Sequence, residues 1–106
     1  MIFYGKGAKA VDLGGGMTRK ILAYDGKMMM VEVSIKSGSV APLHSHPHEQ
    51  MTYVLQGEFE YEVNGEKFTL TKGDSYHTLP NNTHGIKALT DGVLLDIFTP
   101  IREDFL

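Results

Sequence analysis

An all-β fold is expected from three features of this sequence. Apolar and polar residues alternate with a period of two over several short stretches, glycine-centred turn signals separate those stretches, and almost nothing repeats at helical spacing. In chain order, Met29, Val31, Val33 and Ile35 alternate with Met30, Glu32, Ser34 and Lys36, the pattern of a half-buried strand. Phe59, Tyr61 and Val63 then alternate with Glu58, Glu60 and Glu62. Asn64-Gly65 follows, a pair that tolerates positive φ at both central positions of a type I′ turn, and it leads into Glu66 to Leu70, so a β-hairpin is expected. Further turn signals at Gly14-Gly15-Gly16, Asp25-Gly26, Ser37-Gly38, Gly57, Lys72-Gly73-Asp74, Pro80-Asn81-Asn82 and Asp91-Gly92 have the spacing of a sandwich or barrel.

Two strands depart from simple alternation. In Gln50 to Gln56, Thr52 and Val54 share one face while Met51, Tyr53 and Leu55 share the other. In Val93 to Phe98, Val93, Leu95 and Ile97 oppose Leu94, Asp96 and Phe98. A strand apolar on both faces needs a cover on each side. A second subunit or an exchanged N-terminal strand would supply it, so a homodimer is expected; the alternative is that Met1 to Tyr4 of the same chain does the covering.

The 106 residues leave room for one domain, 1–106, which at this size must close a sheet, sandwich two sheets or bury surface against a partner. A formal net charge of −3 offers no basic footprint for nucleic acid and no polybasic patch for an anionic membrane. No apolar run approaches the roughly 20 residues of a membrane helix, and the first residues lack the features of a secretory leader, so a cytoplasmic location is expected. The absence of cysteine excludes disulfides, thiolate metal sites and cysteine nucleophiles. Any metal must therefore be held by nitrogen and oxygen ligands.

The chemistry concentrates in Gly38 to Gly57, GSVAPLHSHPHEQMTYVLQG. Histidines at i and i+2 of a strand point to one face, so His44 and His46 can present imidazole nitrogens to one point. Gln50 is a third donor, and His84, beyond the Pro80 turn, can arrive from another strand. Ser75 to Leu79, or Ile86 and Ala88, would line the rest of the cavity.

This stretch resembles the first motif of the cupin superfamily: a glycine, five residues, His-x-His, three or four residues, glutamate, six residues and glycine. Gly38, His44, His46, position 50 and Gly57 fit that spacing, with Gln50 where glutamate is usual. The second motif runs from a glycine through a proline to a histidine eleven positions on, a distance kept from Gly73 to His84. Pro80 stands one place late, Asn81 takes the usual glycine position and Ala88 replaces the final asparagine. The resemblance implies a double-stranded β-helix, that is, a jelly-roll-like barrel, with one divalent ion held by His44, His46, Gln50 and His84. Such a donor set suits nickel, zinc, iron, manganese or cobalt alike. An amide oxygen coordinates without cancelling charge, so the ion would be a stronger Lewis acid and would favour a small anionic substrate.

A single histidine is more often a surface or hydrogen-bonded residue than a ligand; three at this spacing, with an oxygen donor, point the other way. His48, between Pro47 and Glu49, is expected to be exposed or at the pocket rim rather than a ligand, Glu49 as a ligand would break the spacing, and the direction of His77 is left open.

The stretch LLDIFTPIREDFL, with HSHPHEQ and Gly16-Met17-x-Arg19, is similar to the pectin-degradation cupins of the KdgF type, which convert cyclic 4,5-unsaturated uronates to linear keto-uronates. In that family three histidines and one glutamine hold the metal, which turns Gln50 into a match. The family's pocket aspartate, phenylalanine and arginine correspond to Asp96, Phe98 and Arg102. The resemblance implies catalysis by Asp96 and Arg102, with Phe98, Arg102, Arg19 and His77 binding the substrate. Parity supports part of this, because an ionised carboxylate among the apolar neighbours of Asp96 is costly unless a pocket, metal or partner accounts for it. The structural alternatives are an Asp96 that caps a turn or pairs with Arg19, a core Phe98, and an Arg102 that is a solvated terminal charge. Two competing functions would use the same ligands: a small-cupin dioxygenase with a redox-active ion, and a non-catalytic module that binds a sugar acid or other metabolite.

Overall fold

A computed structural model describes residues 1–106, in which ten strands are flanked by two short 3-10 turns, Gly5–Gly7 and Glu103–Phe105. The strands are β1 (Val11–Gly14), β2 (Met17–Tyr24), β3 (Met29–Ile35), β4 (Val40–His44), β5 (Glu49–Gln56), β6 (Glu58–Val63), β7 (Glu66–Thr71), β8 (Ser75–Thr78), β9 (His84–Ala88) and β10 (Gly92–Thr99). They form a six-stranded sheet in the order β1-β2-β3-β10-β5-β8 and a four-stranded sheet in the order β4-β9-β6-β7, with every pairing antiparallel. The expected all-β cupin architecture is therefore present. No helix is long and apolar enough to cross a membrane.

The hairpin at Asn64-Gly65 forms as its turn chemistry requires. Asn64 and Gly65 have φ of 49° and 83°, and Val63 pairs directly with Glu66 across a two-residue turn. Phe59 and Tyr61 point inward from β6 and meet Ile35, Val54 and Leu94 of the larger sheet together with Ile86 and Ala88 of β9. This cluster joins the two sheets, and each large side chain buried there contributes about 1.5–3 kcal/mol. Gly57 sits at φ 86° between β5 and β6, and a Cβ there would strike the Asp91 carbonyl, so the last glycine of the first motif is needed for both conformation and space.

A second cluster of Met29, Val31 and Phe98 lies toward the other end of β3 and β10 and is covered by Ile101 and Phe105. The chain after β10 thus folds back over one end of the barrel. Beneath it, the registers of β10 and β5 place Phe98 beside Gln50 and Asp96 beside Thr52.

The outer face of the larger sheet carries an open apolar patch. Met30, Met51 and Tyr53 are exposed and Leu95 and Ile97 half-buried, with Ile97 lying between Met30 and Met51 in register. Met1 and Phe3 border a hollow at the Met28–Met30 corner, but all of Met1 to Tyr4 is exposed. The same-chain segment considered as a cover reaches only the Met30–Ile97 edge of this face and leaves Met51 and Tyr53 exposed.

Candidate metal centre and substrate cavity

Two strands of the smaller sheet bring His44 and His84 together. They are direct partners in the β4–β9 ladder, with ring centroids 4.4 Å apart. The ladder shifts register between Ala41 and His44, and Pro42, with no N–H to donate, falls at this irregularity. Contrary to the simple i, i+2 expectation, β4 ends at His44 and His46 lies just beyond it. His46 is nevertheless buried and held in place, because the Asn81 N–H donates to its carbonyl oxygen at 2.8 Å. Asn81 has φ 66°, the left-handed conformation for which glycine is usual, and asparagine tolerates it.

All three imidazoles are locked in one tautomer. The Nδ1 of His44 donates to the Pro42 carbonyl at 2.8 Å, that of His84 to the Asn82 carbonyl at 2.8 Å, and that of His46 to the His48 carbonyl at 3.0 Å. A carbonyl only accepts, so each proton sits on Nδ1 and each Nε2 presents a lone pair. The ligand atoms of the three rings lie within 4.8 Å of one another. Gln50 Oε1 stands 3.1 Å from His46 Nε2, which brings a fourth lone pair to the same place. No proton is available to sit between them. Burial, then the charges of Arg102 and His84, lowers the pKa of His46 from 6.5 to about 4, and burial lowers that of His84. Converging lone pairs that resist protonation fit a divalent cation with three nitrogen ligands and one oxygen ligand.

The larger sheet supplies the polar wall. Gln50 Nε2 donates to Thr52 Oγ1 at 2.9 Å and to Asp96 Oδ1 at 3.1 Å, while Thr52 Oγ1 donates to Asp96 Oδ1 at 2.6 Å. Asp96 is buried and does not pair with Arg19. Burial raises its pKa from 3.8 to about 6, against the opposing effects of Thr52, Gln50 and Arg102. Its Oδ1 accepts both bonds, and Oδ2 takes none from the protein.

The segment after β10 forms the lid of the cavity. His48 Nε2 donates to the Ile101 carbonyl at 3.1 Å and ties the lid to the loop carrying His46. The Arg102 guanidinium lies 4.3 Å from the centre of the Phe105 ring and that of Arg19, from β2, lies 3.9 Å from it, both within cation–π range. Arg102 is not a solvated terminal charge: its side chain is only 14% exposed and its fork is filled by Asp104, with Nε to Oδ1 at 3.1 Å and Nη2 to Oδ2 at 2.8 Å. Arg19 Nε is buried with no hydrogen-bond partner.

A cavity of about 230 Å³ touches His44, Gln50, His84, Asp96, Phe98, Arg102 and Arg19. His46 adjoins it through its contacts with His84 and Phe98. His77, expected to bind substrate, is not there. It is exposed on the outer face of β8 and hydrogen-bonded to Glu49, because strand parity sends its neighbours Tyr76 and Thr78 inward instead. Tyr76 lines the cavity in its place. Sequence reasoning passed over Thr52, Tyr76 and Phe105; the signal for the first was available, since Thr52 shares the parity of Gln50. The largest depression of the surface, about 470 Å³ around Gly14–Thr18 and Gly92, contains no histidine and lies at the opposite ends of β5 and β10.

Known proteins match this chain in both sequence and fold. The family model for the cupin domain matches residues 31–98. The pectin degradation protein KdgF of Dickeya dadantii (strain 3937) is 42% identical over 97 residues, covering 90% of this chain and 88% of that protein. KdgF from Halomonas sp. superposes with a TM-score of 0.94 at 37% identity over 100% of both chains. An RmlC-like cupin from Shewanella frigidimarina NCIMB 400 also gives 0.94, at 38% identity over 97% of this chain and 93% of that one. Family match, near-complete coverage and identity of this level place the chain in the cupin superfamily, as a KdgF-like cupin.

Proposed function

We propose that this cupin opens cyclic 4,5-unsaturated uronates to linear keto-uronates with the aid of one divalent ion held by His44, His46, Gln50 and His84. The observation that carries this reading is a single cavity, lined by His44, Gln50 and His84 and adjoined by His46, that also holds an acid of pKa about 6 and two guanidinium groups. The relative named for pectin degradation supports a sugar-acid substrate. The bound ion supplies Lewis-acid polarisation of a sugar oxygen. Arg19, whose Nε lacks a partner, and Arg102 hold the substrate carboxylate, Arg102 by exchanging Asp104 for it. Asp96, through its free Oδ2, accepts the proton of the anomeric hydroxyl as the bond from the anomeric carbon to the ring oxygen breaks. The anomeric carbon becomes an aldehyde and the ring oxygen leaves as an enolate; Asp96 returns the same proton to the far carbon of that enolate, leaving a ketone, and no electrons are gained or lost. An acid half-ionised near pH 6 suits both transfers. Phe98, with Phe105, forms the apolar side of the cavity and excludes water.

Incubation with 4,5-unsaturated galacturonate tests the reading, with loss of the enol absorbance followed against metal-stripped protein. Loss that requires both protein and metal, and proceeds without oxygen, is expected. An absolute oxygen requirement favours the dioxygenase reading, and stoichiometric binding without turnover favours the binding module. The proposal extends to a homodimer: a second copy covers Met30, Met51, Tyr53, Leu95 and Ile97 on the outer face of the larger sheet.

A further inference from the structure

A glutamine in a metal site poses a problem that a glutamate does not. Its head has two ends of nearly the same shape, an oxygen that can meet a cation and an NH₂ that cannot. In the absence of a cation the wrong end is attractive here, because an NH₂ turned toward His46 Nε2 would donate to its lone pair. Something in the protein must oppose that rotation.

We propose that Thr52 is the positioning residue that turns the Gln50 oxygen toward the three imidazoles, an inference that rests on the metal reading above. Thr52 lies two residues from Gln50 on β5, so both side chains point inward, and the β10 register sets Asp96 directly opposite it. The Thr52 hydroxyl has one proton, and that proton is donated to Asp96 Oδ1 at 2.6 Å, a charge-assisted bond. Toward Gln50 the hydroxyl therefore offers only a lone pair, which accepts from Nε2 at 2.9 Å. A rotated Gln50 would bring its oxygen against this lone pair and against the Asp96 oxygen that now accepts from Nε2 at 3.1 Å. Thr52 is 1% exposed, so no bulk water can relieve the clash of acceptors. With the hydroxyl removed, one of the two acceptors that read the amide is gone, and Asp96 is freer to turn away.

The test uses Co(II) as a spectroscopic probe in full-length protein, with affinity measured by chelator competition, in Thr52→Val and Thr52→Ser. Valine keeps the shape and loses the hydroxyl, whereas serine keeps the hydroxyl. Thr52→Val is expected to weaken Co(II) binding about tenfold or more, the loss typical of a residue that orients a ligand, and to alter the visible absorption of bound Co(II). Thr52→Ser should match wild type in both. A second cycle isolates orientation from packing: in a Gln50→Glu background either end of the side chain is an oxygen, so adding Thr52→Val should lower affinity much less than in wild type. Equal losses in the two backgrounds, or a Thr52→Val protein with wild-type spectrum and affinity, overturn the inference. Wild-type protein that leaves Co(II) with the spectrum of the aqueous ion instead removes the metal reading, and this inference with it.

Discussion

The two faces of β5 and β10 depart from the usual rule for a sheet. Toward the interior Gln50, Thr52 and Asp96 stand among the core residues Val54, Leu94 and Phe98; toward the exterior the strands carry Met51, Tyr53, Leu95 and Ile97. A sheet that serves only to fold would place the polar set outside and the apolar set inside. Polar groups survive inside here because each has a hydrogen-bond partner and Gln50 and Asp96 also face a cavity, while the apolar groups outside form an exposed patch. One strand pair therefore carries both the polar wall of the cavity and an open apolar patch, separated only by strand parity.

Breaking the inner face should have the largest effect. His46→Ala removes a ligand atom and the anchor of a buried loop, and elemental analysis should fall from about one divalent ion per chain to near none, with turnover lost. Full metal content in this variant would show the centre to lie elsewhere. Asp96→Asn keeps an oxygen to accept from Thr52 and Gln50 but removes the acid–base group, so kcat should fall by roughly 10² to 10⁴ with metal retained. A metal-loaded, folded and fully active Asp96→Asn would exclude proton transfer by this residue.

Smaller effects are expected at the lid. Arg102→Ala should raise KM by the equivalent of about 1.5–3 kcal/mol with a much smaller change in kcat. Asp104→Asn weakens the internal competitor for the same fork and should lower KM; a rise would mean that Asp104 positions Arg102 rather than competing with substrate. On the outer face, Met51→Asp should weaken self-association by roughly 30-fold or more, the effect of an interface residue worth about 2 kcal/mol, and leave metal content alone. Sedimentation of a wild-type monomer would refute the second-copy cover outright.

The smallest effect sharpens the comparison through pH, in metal-stripped protein. His46, at about 4 when folded, binds fewer protons than the unfolded chain up to 6.5, so its contribution to stability is lost as pH falls through that window. His84 acts in the same direction. Asp96, raised to about 6 from 3.8, binds more protons when folded, so stability from it is lost as pH rises between those values. The two sides oppose each other, and Asp96→Asn should make the fall in melting temperature on acidification steeper than in wild type. An identical slope would show that Asp96 is not shifted.

The hairpin and the alternating strands were legible from local pattern, because period-two burial and turn chemistry are properties of short segments; the grouping of His44, His46, Gln50 and His84 came from the resemblance of their spacing to the cupin motifs. The same parity marked β5 and β10 as unusual and made Asp96 a suspect before any fold was known. It did not settle His77, since a lone short strand of mixed residues has no apolar face to show which side turns inward; only the pairing of β8 with β5 decides that Tyr76 and Thr78 face the core. Sequence also misjudged how His46 reaches the centre: β4 ends at His44, and an Asn81 hydrogen bond from a distant turn replaces the strand. The filling of the Arg102 fork by Asp104, the unpartnered Arg19 and the Gln50–Thr52–Asp96 triangle were decided by tertiary structure alone. Each depends on which strands become neighbours and in what register, and that choice belongs to the global packing of two sheets, to which no local pattern has access.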